Sequence, residues 1–218
     1  MIQALIFDFD GLLVDTETAG FESWRIMYAD YGHELTLDLY QHTLGTFHGF
    51  DPLAHLETLL GRPLDRAGDL DRRNALKAAM SADQPLLPGV LSVLEQARQR
   101  GMPCAVASSS HSEWVEGWLA RHAIRHEFVC VRTADDVVMT KPAPDLFLSA
   151  AAGMGVPPED CLVFEDSPNG IRAAHAAGMR CVAVPGAVTS QLVLPPSDLV
   201  LASLDALTLD EIIARVDR

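Results

Sequence analysis

The chain contains 218 residues, enough for one large domain or for a core domain with a smaller insert. Apolar residues account for 49% and charged residues for 21%, values typical of a globular protein. The formal net charge is −14 and basic clusters are absent from the sequence, so it lacks the positive patch that nucleic acids and anionic membranes require. We therefore expect neither of these partners.

The four cysteines and the N-terminal residues bear on the cellular compartment. Each cysteine lies in or beside a separate apolar run, and no Cys-x-x-Cys spacing indicates a zinc site. The sequence shows no N-terminal signal segment and no apolar run of membrane-spanning length, because the first such run is interrupted at Asp8. These features predict buried thiols, a reducing compartment and a cytoplasmic location.

The first predicted element is a strand that ends in two aspartates. The apolar run from Ala4 to Phe7 is typical of a strand buried on both faces, and Asp8-Phe9-Asp10-Gly11 follows it directly. Residues two apart on a strand point to the same side, so we expect the carboxylates of Asp8 and Asp10 to lie close together. Such a pair persists when a cation lies between the carboxylates or when one of them holds a proton, and either arrangement suits phosphoryl chemistry. Taken alone, these residues also fit an acidic strand end that faces solvent.

The next segment carries only helical patterns. Aromatic residues three or four apart mark one face of a helix from Thr18 to Tyr31. Further helices are predicted over residues 37–44, 52–60 and 66–80, separated by glycines and a proline. Because no strand pattern interrupts them, we predict a helical cap domain over residues 17–82, inserted into a core formed by residues 1–16 and 83–218. Its hinges are expected near Thr16 and Ser81.

The remainder of the chain alternates helix and strand. Strands are predicted over residues 103–107, 128–131, 161–164 and 180–184, each followed or preceded by a helical pattern, with a weak last strand and a terminal helix from Thr208. This β-α-β alternation predicts an α/β fold with a doubly wound parallel sheet, helices on both faces and right-handed crossovers. Ligands of such sheets bind beyond the carboxyl ends of the strands.

Polar residues from separate parts of the chain fall at that edge. Asp8, Ser108 and Asp166 each follow an apolar strand directly or nearly so, and Lys141 lies in a loop on the same side. Each residue alone has an ordinary interpretation as a helix cap, a solvated lysine or an acidic helix N-terminus. Together they suit phosphoryl transfer to a carboxylate, because a metal ion and a lysine offset the repulsion between the two anions.

These motifs resemble those of the haloacid dehalogenase (HAD) superfamily, in its β-phosphoglucomutase-like branch with a helical cap. The matching residues are Asp8-Phe9-Asp10-Gly11, Asp15-Thr16, Lys141-Pro142 and the string from Glu165-Asp166-Ser167 to Ala177-Gly178-Met179. The resemblance implies that Asp8 is a nucleophile forming an aspartyl phosphate. It also implies that Asp10 protonates the leaving oxygen and then takes a proton from the attacking water.

The resemblance further implies a set of ligand contacts. Ser108, Ser109 and Lys141 would bind the phosphoryl oxygens. Mg²⁺ would be bound by oxygen ligands of a type suited to that hard ion, namely Asp8, the main-chain carbonyl of Asp10 and Asp166, with Glu165 beside them.

One departure from the branch bears on the reaction. Gly20 stands where mutases of this branch carry a cap histidine, and a glycine side chain can neither donate a hydrogen bond nor move a proton. We therefore predict a Mg²⁺-dependent phosphatase that hydrolyses a small phosphorylated metabolite, in particular a sugar phosphate. A sugar phosphomutase is the alternative enzyme. A phosphoaspartate signalling module is the non-catalytic alternative, although a receiver domain has its phosphorylated aspartate after the third strand and no inserted cap.

The cap loop is expected to select the substrate. We predict contacts from Thr46 and His48 in this loop, and from Arg72, Arg73 or Lys77 on the last cap helix. Residues of such mixed character do not specify one metabolite, and the sequence leaves the oligomeric state open.

Overall fold

The computed structural model describes residues 1–46 and 49–217. Its strands are β1 (Ala4–Phe7), β2 (Cys104–Ala107), β3 (Cys130–Arg132), β4 (Cys161–Glu165), β5 (Arg180–Ala183) and β6 (Leu199–Val200). They form one parallel sheet in the order β3-β2-β1-β4-β5-β6, with Phe7 of β1 opposite Val106 of β2 and Phe164 of β4. The predicted doubly wound parallel sheet is confirmed, and β1 lies near its centre.

The helices follow the predicted pattern closely. They are α1 (Glu17–Asp30), α2 (Leu37–Tyr40), α3 (Pro52–Leu60), α4 (Arg66–Ser81), α5 (Val90–Gln99), α6 (Ser112–Arg121), α7 (Asp145–Met154), α8 (Pro168–Ala176) and α9 (Leu209–Val216). The helix predicted over residues 37–44 is shorter, because its second half forms a 3₁₀ turn at Gln41–Thr43. Strand β3 begins two residues later than predicted, after a 3₁₀ turn at Arg125–Glu127.

Helices cover both faces of the sheet, and the apolar residues of β1 pack against them on each side. Leu5 and Phe7 belong to a cluster formed with α5, α6 and α9, whereas Ala4 and Ile6 belong to a second cluster formed with α7 and α8. Successive strand residues point to opposite faces, so a continuous apolar run supplies both clusters. The four cysteines are buried, as predicted.

Helices α1 to α4 form a separate helical layer. Its own apolar cluster contains Trp24 and Tyr28 of the predicted aromatic stripe, together with Val188 from the sheet-bearing part of the chain. The division of the chain into a cap over residues 17–82 and a core stays a prediction. Within the described residues, no helix has the length and apolar character needed to span a membrane.

Candidate active site

The loop after β1 carries both motif aspartates to the carboxyl edge of the sheet. The backbone N–H of Asp8 donates to the carbonyl of Phe164 at 3.0 Å, which extends the sheet hydrogen bonding one residue beyond β1. Gly11 then turns the chain with a φ of +84°, and a Cβ atom there would collide with Oδ2 of Asp166. Only glycine suits both the turn and this close approach.

Lys141 lies buried between two carboxylates. Its Nζ donates to Oδ1 of Asp8 and, at 2.7 Å, to Oε1 of Glu165. Burial opposes a charge on Lys141, but the two carboxylates raise the pKa of its ammonium above the ordinary value. The lysine is therefore charged, and the structure brings it to Asp8 as the sequence predicted.

A cluster of buried carboxylates surrounds this lysine. Asp8, Glu165 and Asp166 offer oxygens that lie within 4.8 Å of one another. Burial raises the pKa of Asp8 well above its ordinary value, with Lys141 acting in the opposite direction. Burial and the neighbouring carboxylates Glu165 and Asp8 likewise raise the pKa of Asp166. Three carboxylates facing one ammonium retain excess negative charge, so this all-oxygen set fits a divalent cation.

Within this cluster, Glu165 is engaged by the protein itself. Its Oε1 accepts from Lys141, while its Oε2 accepts from the backbone N–H of Ser167 at 2.8 Å and from the Ser167 hydroxyl at 3.0 Å. Oδ2 of Asp166 accepts from the Thr189 hydroxyl at 3.1 Å. Glu165 therefore holds Lys141 in place, whereas Asp8 and Asp166 each keep an oxygen available for a ligand.

The Asp10 carboxylate is held by a different set of donors. Its Oδ1 accepts from the Thr16 hydroxyl at 2.5 Å and from the indole N–H of Trp114 at 2.9 Å. Its Oδ2 accepts from the Ser110 hydroxyl at 2.6 Å and from the Ser108 hydroxyl at 3.4 Å. Asp10 and Asp8 therefore lie in different electrostatic environments, although they are separated by one residue.

This difference appears in the pKa of Asp10. Burial acts to raise it, but Lys77 and the hydrogen bonds from Ser110, Thr16 and Trp114 lower it below the ordinary value. The Lys77 ammonium lies 3.7 Å from Oδ1 of Asp10. In the absence of ligands, the Asp10 carboxyl group therefore ionises more readily than that of Asp8.

The predicted phosphate-binding residues lie at this edge with different partners. Ser108 is buried and its hydroxyl also accepts from the backbone N–H of Ser110 at 3.0 Å. The Ser109 hydroxyl donates to the carbonyl of Gly45 at 2.9 Å, in the helical layer. Thr46 lines a cavity beside this edge. His48, like Phe47, falls outside the described residues.

A cavity of about 1100 Å³ opens onto Asp8 and Asp10 and is lined by residues of the helical layer and of the sheet edge. On the helical side the Tyr40 hydroxyl donates to Oε2 of Glu17 at 3.3 Å, and the Arg73 guanidinium lies 5.0 Å from the Trp24 ring centroid. Burial and the nearby Asp10 raise the pKa of Glu17 to about 7. The buried Nε of Arg73 has no hydrogen-bond partner.

The neighbouring predicted arginine has another role. Arg72 forms an ion pair with Asp30 on the surface of the helical layer. Of the three basic residues that the sequence suggested as substrate contacts, Arg73 and Lys77 line the cavity.

Gly20 lies beside Tyr40, and a Cβ at Gly20 would approach the Tyr40 hydroxyl to 2.7 Å. A histidine at position 20 would therefore require Tyr40 to move.

Comparison with known proteins connects this geometry to a family. The family model described as haloacid dehalogenase-like hydrolase matches residues 5–184. The chain belongs to the haloacid dehalogenase-like hydrolases. The predicted superfamily and its β-phosphoglucomutase-like branch are confirmed.

Relatives extend the match over most of this haloacid dehalogenase-like hydrolase. YhcW of Bacillus subtilis (strain 168), which carries a provisional phosphatase name, is 41% identical over 204 residues, covering 94% of this chain and 93% of YhcW. Fructose-1-phosphate phosphatase YqaB of Escherichia coli (strain K12) is 36% identical over 185 residues, covering 83% of this chain and 95% of YqaB.

A solved structure shows the same likeness. The crystal structure of a CbbY variant from Rhodobacter sphaeroides in complex with xylulose-(1,5)bisphosphate matches with a TM-score of 0.77 and 29% identity, covering 96% of this chain and 98% of CbbY. Family and relatives together identify this haloacid dehalogenase-like hydrolase as a phosphoric monoester hydrolase.

Proposed function

We propose that this hydrolase is a Mg²⁺-dependent phosphatase of a small sugar phosphate and that its reaction proceeds through an aspartyl phosphate on Asp8. The observation that carries the proposal is the contrast between Asp8, fixed by Lys141 beside two further carboxylates, and Asp10, held apart by neutral donors and Lys77. One carboxylate is placed to attack phosphorus and the other to handle protons.

The residues support a two-step reaction. One carboxylate oxygen of Asp8, which Lys141 holds in place, forms the bond to phosphorus while the bond between phosphorus and the leaving oxygen breaks. The negative charge of the bound phosphate opposes the lowering of the Asp10 pKa by Lys77, so that Asp10 binds a proton for this step and gives it to the leaving oxygen. In the second step Asp10 takes a proton from water, whose oxygen attacks phosphorus and breaks the bond to Asp8, releasing inorganic phosphate.

The phosphoryl oxygens need positive charge and donors during both steps. We assign these contacts to Lys141, Ser108 and Ser109, which lie at the same sheet edge as Asp8; Ser109 would then exchange its bond to the Gly45 carbonyl for one to the substrate. Asp8, Asp166 and the main-chain carbonyl of Asp10 would hold Mg²⁺, with Glu165 beside them. When bound, Mg²⁺ would supply positive charge that weakens the repulsion between Asp8 and the phosphoryl group.

The helical layer supports a cap over this site. The Asn169 side chain donates to the Leu44 carbonyl at 2.9 Å, Ser109 donates to Gly45, and Lys77 reaches Asp10. We propose that residues 17–82 form a cap that moves about hinges near Thr16 and Ser81 to admit substrate and exclude water. The close packing of Gly20 against Tyr40 favours water over a sugar as acceptor, because the position has no room for the histidine of the mutases without rearrangement.

Removal of the metal should remove activity. We expect dialysis against EDTA to abolish turnover and added Mg²⁺ to restore it, because Asp8 and the phosphoryl group otherwise repel each other. Mg²⁺ should also stabilise the wild type by about 2.7 kcal/mol at a concentration 100 times its Kd, and should therefore raise its melting temperature. Asp166→Ala should lose most of this shift. Full activity after exhaustive chelation would contradict the proposal.

Arg73 should recognise the part of the substrate that is not transferred. Arg73 and the acceptor Glu17 line the cavity together, which suits sugar hydroxyls, and the buried Nε of Arg73 is not engaged by the described residues of the protein. We expect Arg73→Gln to lower kcat/KM for the best sugar phosphate roughly tenfold or more, and to change hydrolysis of p-nitrophenyl phosphate little.

Arg72→Gln is the matched control, because Arg72 is adjacent to Arg73 in the helix but pairs with Asp30. It should leave both substrates unaffected. Equal losses in the two arginine variants, or equal losses on both substrates in Arg73→Gln, would exclude Arg73 as a specificity residue.

A further inference from the structure

We infer that Trp114 is a positioning residue that orients the Asp10 carboxylate and connects it to Lys77. The inference rests on the proposed function, in which Asp10 transfers protons to the leaving oxygen and from water. Trp114 lies in the first turn of α6, on the sheet side of the cavity, and Lys77 lies in α4 on the helical side.

The contact between Trp114 and Asp10 is directional. The indole N–H donates to Oδ1 of Asp10 at 2.9 Å, and an indole nitrogen can only donate. Thr16 donates to the same oxygen, while Ser110 donates to Oδ2. A carboxylate with donors on both oxygens resists rotation about its terminal bond, so these residues determine which oxygen faces the cavity.

Lys77 joins this arrangement from the opposite side of the cavity. Its ammonium lies 4.3 Å from the centroid of the Trp114 ring and 3.7 Å from Oδ1 of Asp10. An ammonium over an indole face is attracted by the ring, most strongly at sites shielded from water. The Lys77 side chain is only 18% exposed. Trp114 therefore holds Asp10 through its N–H and receives Lys77 on its ring face.

The indole is itself supported by the next turn of α6. Trp118 packs edge to face against Trp114, with ring centroids 5.8 Å apart and an interplanar angle of 72°. A phenyl ring at position 118 can keep this edge-to-face contact, and the Trp118 ring has a contact to Arg121 at 5.4 Å rather than to Lys77. Trp118→Phe is thus a matched control, since it removes an indole N–H from the same helix, keeps an aromatic ring against Trp114 and leaves the donors of Asp10 unchanged.

The test separates the proton-dependent steps from phosphoryl transfer itself. p-Nitrophenolate leaves without a proton, so the pre-steady-state burst of its release reports transfer to Asp8, whereas cleavage of an alkyl phosphate such as glycerol phosphate needs the Asp10 proton. We expect Trp114→Phe to lower kcat for the alkyl phosphate roughly tenfold to hundredfold, with KM unchanged. The burst rate should change little, and Trp118→Phe should resemble the wild type in both assays.

Several outcomes would overturn the inference. These are a Trp114→Phe variant that keeps its alkyl phosphatase activity, one that loses burst and alkyl cleavage equally, or a Trp118→Phe variant with the same selective loss. Melting temperatures of both variants identify an effect that is merely structural, which also counts against the inference. A wild type that turns over without a burst and without labelled Asp8 would instead overturn the aspartyl-phosphate mechanism, and the inference with it.

Discussion

Asp8→Asn is expected to lower kcat by at least about a thousandfold, because the amide is a poor nucleophile and a weaker metal ligand. The fold should persist. Burial already raises the pKa of Asp8, with Glu165 adding to the effect, so a neutral amide of nearly the same shape is tolerated there while it still accepts from Lys141. Steady-state assays with p-nitrophenyl phosphate and a thermal melt would measure both effects.

Asp71→Asn is a suitable control for this change, because Asp71 is an exposed residue of α4. It should leave kcat and the melting temperature near the wild-type values. An Asp8→Asn enzyme with wild-type turnover would show that the carboxylate does not attack phosphorus.

Lys141→Met should cause the largest loss of stability among the site variants. Lys141 is fully buried, and its ammonium is the partner of both Asp8 and Glu165. Removing one partner of a buried ion pair leaves uncompensated charge and costs about 3–5 kcal/mol. Chemical denaturation in EDTA would measure this change in the free energy of unfolding. Turnover should also fall to background, because Asp8 and the phosphoryl oxygens both lose their lysine contact.

Arg25→Met offers the comparison with a surface pair. Arg25 is half exposed and pairs with Glu22 at 2.8 Å, so its loss should cost less than about 1 kcal/mol. If Lys141→Met and Arg25→Met were equally stable, the buried ion pairs of Lys141 would contribute little to the folded state.

The sequence was a good guide to the parts of the fold that depend on local pattern. The strand that ends at Phe7, directly before Asp8, and the helix over residues 52–60 follow from apolar pattern and from the flanking glycine and proline residues. Lys141 and Asp166 could be assigned to the edge of the sheet from topology alone, because parallel strands end at one edge.

Contacts that depend on packing between distant segments could not be predicted. Trp114 and Asp10 are 104 residues apart, and their hydrogen bond depends on how the first turn of α6 faces β1. The polar run after β2 indicated Ser108 and Ser109, but Ser110 makes the shorter bond to Asp10. Periodicity gave no sign that Trp114 would join the site.

The arginines of α4 show the same limit. Adjacent helix residues point about 100° apart, so only one of Arg72 and Arg73 can face the cavity. Both faces of this helix carry charges, and the sequence alone therefore offers no apolar stripe to decide between them. The pairing of Arg72 with Asp30 settles the choice through tertiary contact.

The central claim is that the phosphoryl group is transferred to Asp8 and is then released as inorganic phosphate with the help of Asp10. Its most direct test is rapid acid quench of the Asp10→Asn variant with p-nitrophenyl phosphate and Mg²⁺, followed by mass spectrometry of the peptide that contains Asp8. We predict the added mass of one phosphoryl group on Asp8, accumulating because the variant lacks the base that activates water. Release of p-nitrophenolate without any phosphoryl group on Asp8, or with the group on another residue, would contradict the mechanism.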